Sequence, residues 1–96
     1  MRVTLEDSTR ATKKYVVTLP KGGKVHFGQA GAEDYTTHSD PERMVSYLNR
    51  HGANGQQWNN PETAGFWSRW LLWSRPSLDE SIALLRRKFG ITVSRR

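Results

Sequence analysis

A chain of 96 residues has room for one modest hydrophobic core and not for two. Fifteen Lys and Arg against nine Asp and Glu leave a net charge of +6, a balance that draws a protein toward nucleic acid, an anionic membrane or the acidic surface of another protein. The lack of cysteine excludes disulfides and thiolate metal sites. The apolar runs are too short for a secretory signal or a membrane-spanning helix, so a place inside a cell, free or assembled into a particle, is the expectation.

Only Val3 and Leu5 are apolar in the first segment, among Arg2, Glu6, Asp7, Arg10 and small polar residues. Residues 1–12 therefore read as a flexible basic arm, either frayed or ordered only on a partner. A single α+β domain is expected over 13–91, followed by a basic tail over 92–96. Within it, 13–19 reads as a strand with Tyr15, Val17 and Leu19 on one face and Lys14, Val16 and Thr18 on the other. Pro20-Lys21-Gly22-Gly23 supplies a turn, and Lys24 to Gly28 returns as a second strand facing Val25 and Phe27 inward. A lone two-stranded ribbon is marginal, so it must lie on the helices or pair again.

A first helix is expected over 41–51, opened by Asp40-Pro41-Glu42 and stopped by Gly52, with Met44, Tyr47, Leu48 and His51 as its buried stripe. The Gly/Asn/Gln loop over 53–59 should fold Trp58 back against the core. A second helix over 60–73 begins with Asn60 as cap and Pro61 at its first position. On a period of about 3.6 residues Phe66, Trp70 and Trp73 share one stripe, Trp67 and Leu71 flank it, and Ser68, Arg69 and Leu72 point elsewhere. After Ser74-Arg75-Pro76, the pair Ser77 and Glu80 forms a capping box for a third helix, whose stripe is Leu78, Ile82, Leu85 and Phe89 and whose stop is Gly90. Ile91 and Val93 add a last contact. The expected fold is thus an N-terminal β-hairpin packed on three short helices around a tryptophan-rich core of Tyr15, Phe27, Leu48, Trp58, Phe66, Trp67, Trp70, Trp73, Ile82, Leu85 and Phe89.

Little points to catalysis. His26, His38 and His51 are far apart, without metal-ligand spacing, and no serine sits in a nucleophile elbow, so neither a metal, a cofactor nor an enzyme is expected. Gly22-Gly23-Lys24 is too short to cradle phosphate and reads as a hairpin turn. The string Asp34-Tyr35-Thr36-Thr37-His38 is open to two readings, a site or a hydrogen-bonded turn, and the turn is preferred because Asp, Thr and His side chains satisfy irregular backbone. The candidate binding surface is cationic: Lys13, Lys14, Lys21, Lys24, Arg75, Arg86, Arg87 and Lys88. A helix-turn-helix made of the last two helices would place Asp79 and Glu80 where bases are met, which opposes sequence-specific DNA reading and leaves nonspecific phosphate attraction open.

Several strings carry a resemblance: 13–20, His26-Phe27-Gly28, Asp34-Tyr35-Thr36-Thr37-His38, Asp40-Pro41-Glu42-Arg43, 47–51 and 63–73. Together, over roughly 13–91, they resemble a small uncharacterised family associated with large double-stranded DNA viruses of eukaryotes. Residues 52–57, expected to be basic in relatives, are neutral and glycine-rich here, so a phosphate grip by that loop is disfavoured. The resemblance implies a viral origin. By analogy of source it implies a virion structural component, a minor capsid or capsid-associated protein that binds larger capsid subunits, found in the virion or in the host cell interior during assembly. The alternative is a nonspecific nucleic-acid-binding protein on the viral genome. Oligomeric state stays open.

Overall fold

The sheet is wider than a hairpin. In the computed structural model, which describes residues 1–53 and 58–96, strands β1 (Arg2–Asp7), β2 (Lys13–Thr18), β3 (Lys24–Gln29) and β4 (Thr92–Arg95) form one four-stranded sheet in the order β3-β2-β1-β4. The β2–β3 hairpin forms as the alternation predicts, with Tyr15 opposite Phe27 and Val17 opposite Val25. β1 pairs antiparallel with β2, Leu5 opposite Val17, and β4 pairs parallel with β1, Val3 opposite Val93.

Two expectations are therefore corrected. Residues 2–7 of the predicted arm are an inner strand, and residues 92–95 of the predicted tail are its neighbour. The reason is visible in the side chains: Val3 and Leu5 alternate with polar residues, and both are buried, as is Val93. Two apolar residues suffice for a strand when both neighbours are supplied by distant segments, which local composition does not report.

Four helices accompany the sheet: α1 (Tyr35–His38), α2 (Pro41–Ala53), α3 (Ala64–Trp67), continued by a π-helical turn (Ser68–Leu72), and α4 (Leu78–Phe89). The second predicted helix starts later than Asn60. Thr63 is its cap, its hydroxyl accepting from the Phe66 amide, while Asn60 caps a preceding turn by accepting from the Glu62 amide. The π turn also changes the winding. Phe66, Trp67, Leu71 and Leu72 are all buried, spaced five apart in two pairs, so Leu72 faces inward instead of out and Trp70 and Trp73 are only half-buried at the rim of the core. α4 follows the sequence closely: Ser77 caps it, Gly90 ends it at φ 66°, and Leu85 is fully buried with Leu78, Ile82 and Phe89 packed around the core.

The core joins Val3, Leu5, Val17 and Phe27 of the sheet to Phe66, Trp67, Leu71, Leu72, Leu85 and Ile91. Trp67 touches Phe27 and Phe66, and its indole N–H donates to the Pro61 carbonyl at 2.6 Å. Leu48, expected in the core, is half-buried outside this cluster because α2 rests on the rest of the protein mainly through Tyr47, and Trp58 is half-buried outside it with its ring beside Gly52. Of the loop expected over 53–59, residues 54–57 lie outside the described residues. Among the described residues no helix is long and apolar enough to cross a membrane.

Candidate functional site

The irregular crossing from β3 to α2 is held by one carboxylate. Asp34, 2% exposed, caps α1 by accepting from the Thr36 amide at 2.9 Å and from the Thr36 hydroxyl, and Thr37 closes the reciprocal half of the capping box on the Asp34 backbone. Its other oxygen takes the Lys14 ammonium at 2.6 Å, and Lys14 also donates to the Ala32 carbonyl at 2.8 Å. A buried charge pair needs this many partners to offset its desolvation. His38 ends α1, its Nδ1 accepting from the Asp40 amide. Asp34, Tyr35 and His38 thus build a braced turn.

From that turn a run of stacked rings extends along α2. His38 lies 5.3 Å from Trp73, Trp73 stacks on Tyr47 at 4.3 Å with a 3° interplanar angle, and Tyr47 stacks on His51 at 4.2 Å. Burial pushes the Tyr47 phenol up to about 12, against the opposing pull of Arg69 and Arg50. Burial and then Arg50 hold His51 below its ordinary value. Arg69, expected to point outward, lies over the Trp70 ring at 4.2 Å and the Trp58 ring at 5.3 Å, and burial lowers its pKa.

The predicted cations do not form one patch. Lys14 is neutralised by Asp34, and the other ion pairs among the described residues are Arg43 with Glu33 and Arg95 with Asp79. Lys24 and His26 lie on the sheet face opposite Phe27, the residue that packs on Trp67, and His26 bonds Ser8 at 2.7 Å. Partial burial holds His26 below its ordinary value, aided by the fields of Arg10, Lys24 and Lys13. His26 stands alone in the sequence as a candidate histidine, and Arg10 reaches it only through Ser8, whose hydroxyl accepts from the Arg10 amide and bonds the imidazole. On the helical side Arg86, Arg87 and Lys88 are exposed in the last turn of α4, with Lys88 lying 5.3 Å over Trp70. Arg87 follows Leu85 by two residues, about 200° round the helix, and so points away from the core. Lys21 is exposed in the hairpin turn that leads into Lys24, and Arg75 is exposed with its guanidinium donating to the Ser74 carbonyl.

Between the end of the hairpin, α2 and the π turn lies a cleft of about 350 Å³. Lys13 and Arg50 stand at it as cations, Tyr47, Leu72 and Trp73 give it an apolar wall, and Gly28 and Gly65 leave it open. The cleft is invisible in the sequence, because its residues come from five separate segments. Among the described residues no group of three or more His, Cys, Asp or Glu comes together to hold a metal ion.

Residues 3–51, 49 of the 96, match the family of unknown function DUF5754. The chain belongs to this family. The DUF5754 match spans β1 to β3, α1 and most of α2, so Lys13, Lys14, Asp34, Tyr47, Arg50 and His51 fall inside it and the α4 cations outside. It also includes β1, in keeping with a strand there. No curated protein and no solved structure matches the chain.

Proposed function

We propose that this is a non-enzymatic structural protein of the particle of a large eukaryotic DNA virus, bridging the acidic surfaces of larger subunits. The observation that supports it is that two groups of cations without an ion-pair partner among the described residues stand on different sides: Lys24 on the outer sheet face with Arg10, joined to His26 through Ser8, and Arg86, Arg87 and Lys88 on the helical side. The domain is 25 Å across its shortest extent, so charges on its two sides meet two different surfaces. A duplex laid against one side would leave the other unused. Complementary charge of this kind sets register and suppresses wrong partners more than it adds raw affinity.

The reading requires the protein in purified particles, and it requires both sides. Arg10→Glu/Lys24→Glu and Arg86→Glu/Arg87→Glu should each reduce incorporation, measured by quantifying the protein in purified virions. Absence from particles, or full incorporation of either double variant, overturns it. The nucleic-acid alternative is tested by salt: six or more phosphate contacts lose on the order of 10³-fold in affinity between about 50 and 200 mM salt, and no binding to duplex DNA at low salt eliminates that alternative.

A further inference from the structure

The cleft beside α2 is built from features that serve the fold poorly and a ligand well. The first is its cations. Asp34 is satisfied by Lys14 and Glu33 by Arg43 at 2.8 Å, so the acids at the cleft are already held. Lys13 and Arg50 have no ion-pair partner among the described residues, and both face the same 350 Å³ hollow. Two cations left unpaired at a concave site are an arrangement that a phosphate or carboxylate fills.

The second feature is room. Gly28, Ala32, Ala64 and Gly65 line the cleft with little or no side chain. Gly28 sits at φ 77°, where a Cβ would come within 2.9 Å of Leu72, so the strand runs close over the wall at that point. The third is the winding of the helix that forms the wall. The π turn over Ser68–Leu72 carries Ser68 and Leu72 onto the cleft, and π turns inside helices recur at functional sites because they give up backbone regularity for side-chain placement. Half-buried Trp73 then offers an apolar surface next to the cations, with Leu72 and Tyr47 buried behind it. A hollow of this size, apolar on one side with a few convergent polar groups, falls within the range of small-molecule sites.

We infer that the cleft binds a phosphate monoester of nucleotide size, its phosphate on Lys13 and Arg50 and its flat apolar body against Trp73. This does not rest on the structural role proposed above, since neither Lys13 nor Arg50 is among the residues tested there.

Trp73 lies in the wall, so binding of adenosine monophosphate to the full chain should change tryptophan fluorescence saturably and shift the amide resonances of Gly65 and Ser68. Arg50→Glu and Lys13→Glu should each weaken binding about tenfold or more while leaving the melting temperature in place, and Arg86→Glu, on the far end of α4, should leave it unchanged. Adenosine and inorganic phosphate alone should each bind more weakly than the monophosphate. Lack of saturation at millimolar monophosphate, equal binding of adenosine or of inorganic phosphate, or an equal loss in Arg86→Glu overturns the inference. The last result would show diffuse attraction to a basic surface.

Discussion

Replacing Gly28 by alanine tests a close approach of strand backbone to core side chains. Its backbone is left-handed at φ 77°, and a Cβ there would stand 2.9 Å from Leu72 Cδ1 and 3.1 Å from Lys14 Cβ. Neither neighbour has freedom to retreat: Leu72 is 2% exposed in the core, and the Lys14 side chain is pinned to Asp34 and Ala32. A left-handed non-glycine residue costs about 1–2 kcal/mol. Overpacking a filled site adds about 1–3 kcal/mol. The two terms add to about 2–5 kcal/mol for Gly28→Ala, and at about 4–8 °C per kcal/mol for a domain of this length the melting temperature should fall by at least about 8 °C. Gly22→Ala is the control. Its φ is 92° with nothing within 4 Å of the added methyl, so it carries the backbone strain alone. Alanine also narrows the unfolded ensemble by about 0.4–1 kcal/mol, an effect common to both variants that cancels in their difference. Thermal melts by circular dichroism, with urea denaturation as a second measure, give that difference. Equal destabilisation of the two variants would refute the close packing of β3 on the π turn.

Two further outcomes follow from the same geometry. Leu5→Ala should cost about 2–5 kcal/mol in urea denaturation, because Leu5 is 2% exposed between β2 and β4; a cost below about 1 kcal/mol would return the first residues to the status of a loose arm. His51→Gln should alter how stability depends on pH. The folded state holds His51 below its ordinary value of 6.5, so the unfolded chain takes up that proton first, and the contribution is intact above 6.5 and lost as pH falls through the window beneath it. Wild type should lose stability relative to His51→Gln between about pH 7 and 5, and parallel curves over that range would mean that His51 is not held neutral against Tyr47.

What could be read from the chain was what neighbouring residues decide among themselves. Ser77 and Glu80 announce α4 and Gly90 its end, and the Val17/Phe27 alternation with the Pro20–Gly23 turn announces the hairpin, because caps and turns are local chemistry. The π turn defeated the 3.6-residue count. Phe66, Trp67 and Leu71 still came out inside, but Leu72 took an inner place and Trp70 moved to the rim. β1 and β4 were missed because each is legible only beside the other. The cleft is hidden for the same reason: the sequence marks Lys13 as a cation and Tyr47 as a buried ring, yet nothing in their spacing joins them to Arg50 and Gly65. From sequence Lys14 belongs to the surface charge, and only the fold reveals that Asp34 consumes it.

The parallel pairing of Arg2 with Thr92 also bears on the order in which the protein assembles. Bringing such distant positions together costs about 4 kcal/mol in chain freedom, and that outlay is not recovered until the intervening helices have docked. The hairpin and α4 should therefore form early and the seam between β1 and β4 late, leaving Val3 and Leu5 on an unpaired border during folding. In that interval two unfinished chains are most prone to stick to one another, so refolding yield should fall as concentration rises even though the finished domain covers those residues.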